Sequence, residues 1–194
     1  MTEKRVKDVM VPLSEYATIS EDASLYDAVQ ALEKAQNAWK TAGSPYHHRA
    51  VLVYDKNHEI VGKLGQIEIL KGLEPKYNQG AMLSDRITES GFSKEFMRSI
   101  IEKYALLDKP LLDICRKASK NKAKDCMYIP EDGEFVDAED TLNLAINQLV
   151  LGRYQSLLVT RNKKIIGILR LTDVFKEVSD SIKACAIKDE IHEK

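Results

Sequence analysis

The sequence predicts a mixed α/β (α+β) fold in which one β-α-β-β-α unit occurs twice, with a helical insert between the copies. Three observations predict it. The first is an internal repeat, which is the feature to look for before any local pattern. Lys7-Asp8-Val9-Met10 returns as Lys124-Asp125-Cys126-Met127, an offset of 117 positions. The offset persists through Ile19 and Val136, Leu25 and Leu142, Ala28 and Ala145, and Leu32 and Leu149. The second is an apolar face at helical spacing in each copy: Leu25, Ala28, Val29 and Leu32, then Leu142, Ala145, Ile146 and Leu149. The third is a pair of β-rich runs in each copy separated by a polar turn, Asp55 to Glu59 in one and Arg161 to Lys164 in the other, which read as hairpins.

Taken in order, each copy opens with a short extended segment, Ala17 to Ile19 or Glu134 to Val136. A helix follows, started by Ser24 with Asp27 three residues on in copy one and by Thr141 in copy two. The strands of the hairpin match as Val51-Leu52-Val53 with Leu157-Leu158-Val159, and Ile60-Val61-Gly62-Lys63-Leu64 with Ile165-Ile166-Gly167-Ile168-Leu169. A last helix begins near Glu68 or Asp173, where an acid in the first turn suits the helix dipole. Copy one carries 11 more residues between its first helix and its hairpin, either a longer helix or a loop, ending in Gly43-Ser44-Pro45.

The predicted boundaries are 1–75 for unit 1, with the extension near 33–48, 76–123 for the insert, 124–180 for unit 2, and 181–194 for a terminal helix or tail. Within the insert, Ser93 and Glu95 mark a helix start, and Phe96, Ile100, Tyr104, Leu107, Leu111 and Ile114 recur every three or four residues. Pro110 marks a break at which a second helix begins. The stripe packs on the chain itself or serves a partner or dimer.

Composition bounds the function. With 29 Lys and Arg against 30 Asp and Glu, no overall charge draws the chain to nucleic acid or membrane, so an anionic ligand must be met by local charge. Aromatics are 7% and no basic stripe stands out, which disfavours nucleic acid. Three scattered cysteines, Cys115, Cys126 and Cys185, form neither a metal pattern nor a disulfide framework and suit a reducing compartment. No run of about 18 apolar residues occurs, so a cytoplasmic location is expected by elimination, without membrane. Neither a P-loop, GxSxG, HExxH nor a Cys and His nucleophile signature is present, so no enzyme is expected.

The repeat resembles the tandem CBS domain pair, the Bateman module. The resemblance rests on VKDVMVP, ISEDASLYDAVQAL and HRAVLVYDKNHEIVGKLGQIEIL in copy one, and on KDCM, VDAEDTLNLAINQL and QSLLVTRNKKIIGILRLTDVF in copy two. It implies a pseudo-two-fold pair of β-α-β-β-α units with clefts that take AMP, ADP, ATP or a related adenosyl compound. It also implies dimerisation and regulation of a separate protein. No cofactor is required.

In that family the last strand reads Gly, two apolar residues, Thr or Ser, two variable residues and Asp, the Asp holding ribose hydroxyls and the Thr or Ser lying near phosphates. Copy two reads Gly167-Ile168-Leu169-Arg170-Leu171-Thr172-Asp173, so Asp173 keeps the acid while Arg170 replaces the hydroxyl. A carboxylate also suits a vicinal diol on its own chemistry, with two acceptor oxygens; otherwise Asp173 only caps its helix. Arg170 meets phosphate oxygens bidentately or pairs with a nearby carboxylate. Thr172 fits a cap better than a ligand contact.

Copy one has Glu68 at the Asp position and Gly65 at the hydroxyl position, so its cleft is expected to be the weaker or empty one. Lys63 interrupts an apolar strand and must reach solvent, a carboxylate or a phosphate. His47-His48-Arg49 suits an anion or is a solvated loop; a metal lacks a second ligand group. By the resemblance, Met10, Val11 and Pro12 in copy one and Met127, Tyr128 and Ile129 in copy two lie by the adenine, unless they are simply core.

Two functions compete. The leading one is a regulatory module that senses an adenine nucleotide in a cleft between two CBS units. The other is a ligand-free dimerising scaffold or protein-interaction module with degenerate clefts, favoured by the missing hydroxyl in both copies.

Overall fold

The computed structural model describes residues 4–41, 49–78 and 93–192. Its strands are β1 (Val11–Pro12), β2 (Thr18–Ser20), β3 (Ala50–Tyr54), β4 (Ile60–Gly65), β5 (Phe135–Asp137), β6 (Ser156–Arg161) and β7 (Lys164–Arg170). Its helices are α1 (Leu25–Thr41), α2 (Gln66–Lys71), α3 (Lys94–Tyr104), α4 (Leu111–Ala118), α5 (Ala123–Cys126), α6 (Leu142–Leu151) and α7 (Leu171–His192). The order β2-α1-β3-β4-α2 returns as β5-α6-β6-β7-α7, the repeated unit the sequence predicts.

The chain forms two compact units, one chiefly of residues 4–17 and 130–192, the other chiefly of 18–38, 49–78 and 93–129. In the first, the sheet order is β1-β7-β6-β5, with β5 and β6 parallel and the other pairs antiparallel. In the second, the order is β2-β3-β4, with β2 and β3 parallel and β3 and β4 antiparallel. Each parallel pair is joined by the helix between its strands, as a parallel connection requires.

The segment before each copy's first extended strand packs with the sheet of the other copy, and the bonds that dock it repeat at the same offset. In the second unit the amides of Leu25, Ala123 and Lys124 donate to the carbonyls of Asn121, Ala23 and Glu21. In the first, the amides of Leu142, Val6 and Lys7 donate to Lys4, Asp140 and Ala138. All six are 2.8 to 3.0 Å long. Val6 thereby enters the core of Val136, Leu142, Ala145, Leu149, Leu157, Val159, Leu169 and Val174. Ala123, its counterpart, is equally buried in the second unit, whose core includes Leu25, Ala28, Leu32, Val51, Leu52, Val53 and Leu64.

Local chemistry explains the element ends. Ser24 Oγ accepts from the Asp27 amide and Asp27 Oδ2 from the Ser24 amide, a reciprocal cap at the start of α1. Thr141 Oγ1 accepts from the Leu144 amide at α6. The β6–β7 turn places Asn162 and Lys163 at φ of 50° and 64°, the left-handed pair that a two-residue hairpin loop needs. The extension of copy one is helical at least to Thr41, 17 residues against 10 in α6. Gly43, Ser44 and Pro45 lie outside the described residues.

Among its described residues the insert holds two helices, with Ser93 Oγ capping α3 and Pro110 preceding α4. Phe96, Met97 and Ile101 stay exposed, while Ala118 is buried. The segment predicted as a terminal helix or tail continues α7 as far as His192. No helix among the described residues is long and apolar enough to cross a membrane.

In the second unit Asp22 Oδ1 receives both Lys122 Nζ and Lys124 Nζ at 2.9 Å. Bonds from these two ammonium groups lower the Asp22 pKa from 3.8 to about 2. A depressed carboxylate stabilises the fold above its unfolded value and loses that contribution as pH falls through the folded one. We expect Asp22 to titrate near 2 by carbon NMR and to return toward 3.8 in the Lys122→Ala, Lys124→Ala double variant. An unchanged value in that variant would contradict the assignment.

Candidate functional site

The first unit carries five of the sequence-predicted residues on β1 and on the strand-to-helix junction that ends β7. Antiparallel pairing sets Val11 opposite Ile168 and Pro12 opposite Gly167. A methyl group on Gly167 would lie 2.5 Å from the Val11 carbonyl oxygen and 3.1 Å from Met10 Sδ, so only glycine lets β1 approach this closely. β7 then ends at Arg170, and Thr172 and Asp173 form the first turn of α7.

Arg170 and Asp173 face each other across that junction. Arg170 Nε donates to Asp173 Oδ2 at 2.5 Å and Nη2 to Oδ1 at 2.6 Å, a two-pronged pair. The side chains are only 8% and 15% exposed, so this pair is withdrawn from water, unlike the chain's surface ion pairs. Of the two partners the sequence allows Arg170, the structure supplies the carboxylate. Thr172 is half-buried beside them.

Tyr16, which the sequence reading passed over, belongs to the same site. It is buried, and burial pushes its phenol pKa up to about 12, with Arg170 pulling it down and Asp173 pushing it up. The repeat carries a signal for it. The position 117 residues on is Gly133, so this aromatic is peculiar to copy one.

The second unit builds the corresponding junction differently. A methyl group on Gly62 would lie 2.5 Å from Met127 Sδ and 3.0 Å from the Tyr128 carbonyl oxygen. Lys63 and Tyr128 exchange backbone hydrogen bonds of 2.9 Å, and Lys63 Nζ stands 5.0 Å from the Tyr128 ring centre, a cation–π contact. Lys63 therefore rests on an aromatic ring. Glu68 Oε2 accepts from the Gly65 amide at 3.0 Å and so caps α2.

Each opening segment thus lies against the other copy's last strand: Val11 is buried opposite Ile168 and Met10 packs on the core beside Gly167, while Met127 lies against Gly62 and Tyr128 pairs with Lys63. Ile129 is 68% exposed and Arg49 is exposed ahead of β3. His47 and His48 lie outside the described residues. Among the described residues no group of three or more His, Cys, Asp or Glu side chains is placed to hold a metal. A cavity of about 300 Å³ in the second unit, lined by Leu73, Pro75, Lys109, Ile114, Lys117 and Asn121 among others, includes none of the predicted site residues.

The CBS domain family model matches residues 6–74 and 123–180, the two copies of the repeat. The chain belongs to the CBS domain family. It is a tandem CBS pair, and CBS domains are regulatory nucleotide-binding modules. No curated protein matches it in sequence.

Solved structures share the pair's fold. CBSX2 in complex with AMP is 19% identical, with a TM-score of 0.54 over 92% of this chain and 98% of that one. A CBS domain-containing protein from Bacillus anthracis is 16% identical, TM-score 0.58, over 91% and 94%. The CBS domains of a transcriptional regulator from Streptococcus pneumoniae are 11% identical, TM-score 0.53, over 89% and 98%.

Proposed function

We propose that this CBS pair is a regulatory sensor of an adenine nucleotide, AMP, ADP or ATP, which binds in the first unit and needs no other cofactor. The observation that carries the reading is the Arg170 and Asp173 pair at the end of β7, under the β1 strand that reaches in beside Gly167. Asp173 supplies acceptors for a ribose diol and Arg170 a planar donor for phosphate, three residues apart on one junction. Met10 and Val11 bring apolar side chains and main-chain groups to the same place for the base. An AMP complex of CBSX2, a protein of the same fold, supports the ligand class.

The second unit offers Glu68, Lys63, Met127 and Tyr128 as a weaker site, because Glu68 already caps its own helix and Lys63 is engaged with Tyr128. Ile129, Thr172 and Arg49 are peripheral in this reading. The chain is not an enzyme; it works as a cytoplasmic homodimer and reports to a separate regulated protein. A nucleotide drives such a report only to the extent that it binds two states of the module unequally.

The second reading is a dimerising scaffold with disused clefts. It is favoured by the same carboxylate, since Arg170 already engages both oxygens of Asp173. A thermal-shift panel of AMP, ADP, ATP, S-adenosylmethionine and NAD separates the two, followed by amide NMR with the best ligand. The sensor reading predicts saturable stabilisation and shifted amides at Met10, Val11 and 170–174. Folded protein that responds to none of the five leaves the scaffold.

A further inference from the structure

The side chain beside the proposed ribose acceptor is long, charged and folded across it, and this makes a prediction about which ligands enter. Both oxygens of Asp173 are engaged by Arg170 at 2.5 and 2.6 Å, and the Asp173 side chain is 15% exposed. A ribose diol reaches those oxygens only if the guanidinium moves aside. The Arg170 side chain is itself 8% exposed, so moving aside without a new anion separates it, out of contact with water, from the carboxylate that holds it by two bonds, which is strongly unfavourable. A phosphate supplies that anion in the planar, two-pronged geometry that arginine favours.

We infer that Arg170 is a specificity-determining latch on Asp173, released by a ligand that brings an anionic group for the guanidinium together with a diol for the carboxylate. The inference rests on the adenine-nucleotide reading above. It assigns the site to phosphorylated nucleosides and excludes the bare nucleoside, because adenosine opens the pair without replacing its carboxylate. A simple phosphate contact by a free arginine would favour AMP too, but would leave adenosine binding indifferent to residue 170. The latch instead obstructs adenosine, so removing Arg170 must help it.

Calorimetric titration of AMP and adenosine into the full chain, its Arg170→Thr variant and its Arg170→Gln variant tests this. We expect the unaltered chain to prefer AMP over adenosine by about 100-fold or more. We expect adenosine to bind Arg170→Thr about tenfold tighter than the unaltered chain, while AMP gains nothing. The Gln variant, closer in size, guards against a folding defect in the Thr variant and should move in the same direction. AMP binding with adenosine unimproved in the folded variants overturns the latch and leaves the sensor standing, as does an unaltered chain that binds the two within about threefold of each other. An unaltered chain that binds no adenine compound overturns both.

Discussion

Asp173→Ala lowers the stability of the chain in urea unfolding at neutral pH by about 3–5 kcal/mol, the range for breaking a buried ion pair from one side. The cost follows from what remains. Arg170 is 6% exposed at the end of β7, and without Asp173 its guanidinium stays in that environment and loses both of the bonds the carboxylate accepts. Replacing both partners, as in Arg170→Met with Asp173→Leu, removes the charge together with its lost carboxylate and recovers most of the loss, because apolar substitutes of similar size often match a buried pair. A loss below about 1 kcal/mol in Asp173→Ala would place the pair with ordinary surface ion pairs and contradict its assigned burial.

Leu157→Ala lowers stability by a similar amount, about 2–5 kcal/mol. Leu157 is fully buried on β6, which lies between β5 and β7, and its side chain belongs to the core that also holds Leu142, Leu149 and Val6. Truncation removes buried methyl groups and leaves a void that a central strand cannot close. Leu151, 84% exposed at the end of α6, is the control: its change to alanine should fall within about 0.5 kcal/mol. Equal effects at the two positions, read by urea unfolding, would contradict the placement of the core.

Much of this architecture is legible in the repeat. Ser24, Asp27 and Thr141 cap the helices that their positions predict, because capping is a local matter of a few residues. The helical faces and hairpins follow from spacing for the same reason. What sequence order does not carry is which of two alike sheets a short segment joins. β1 is two residues long, and its partner, β7, lies more than 150 positions away. The pairing of β1 with β7 and the close approach at Gly167, mirrored at Gly62, reveal the exchange that seats Met10 against Gly167.

The site was legible in part. Arg170 and Asp173 share a helix start at a spacing that allows pairing, so the carboxylate partner stood among the alternatives, but not its double hydrogen bond or its burial. Tyr16 escaped because it sits between two short extended segments and matches no motif. Its role depends on tertiary burial next to residues about 150 positions away. The length of α7 escaped too, since alternating charges after Asp180 suit a helix and a fraying tail equally.

The central claim is that an adenine nucleotide binds with its ribose diol on the Asp173 carboxylate. Calorimetric titration of the unaltered chain with AMP and with 2′,3′-dideoxyadenosine monophosphate tests it most directly, since the two ligands share base and phosphate and differ only in the hydroxyls. The account predicts saturable AMP binding and an affinity at least about tenfold lower for the dideoxy compound, as loss of hydrogen bonds to a charged group implies. Equal affinities would remove Asp173 from the ribose, and no saturable AMP binding would contradict the sensor itself.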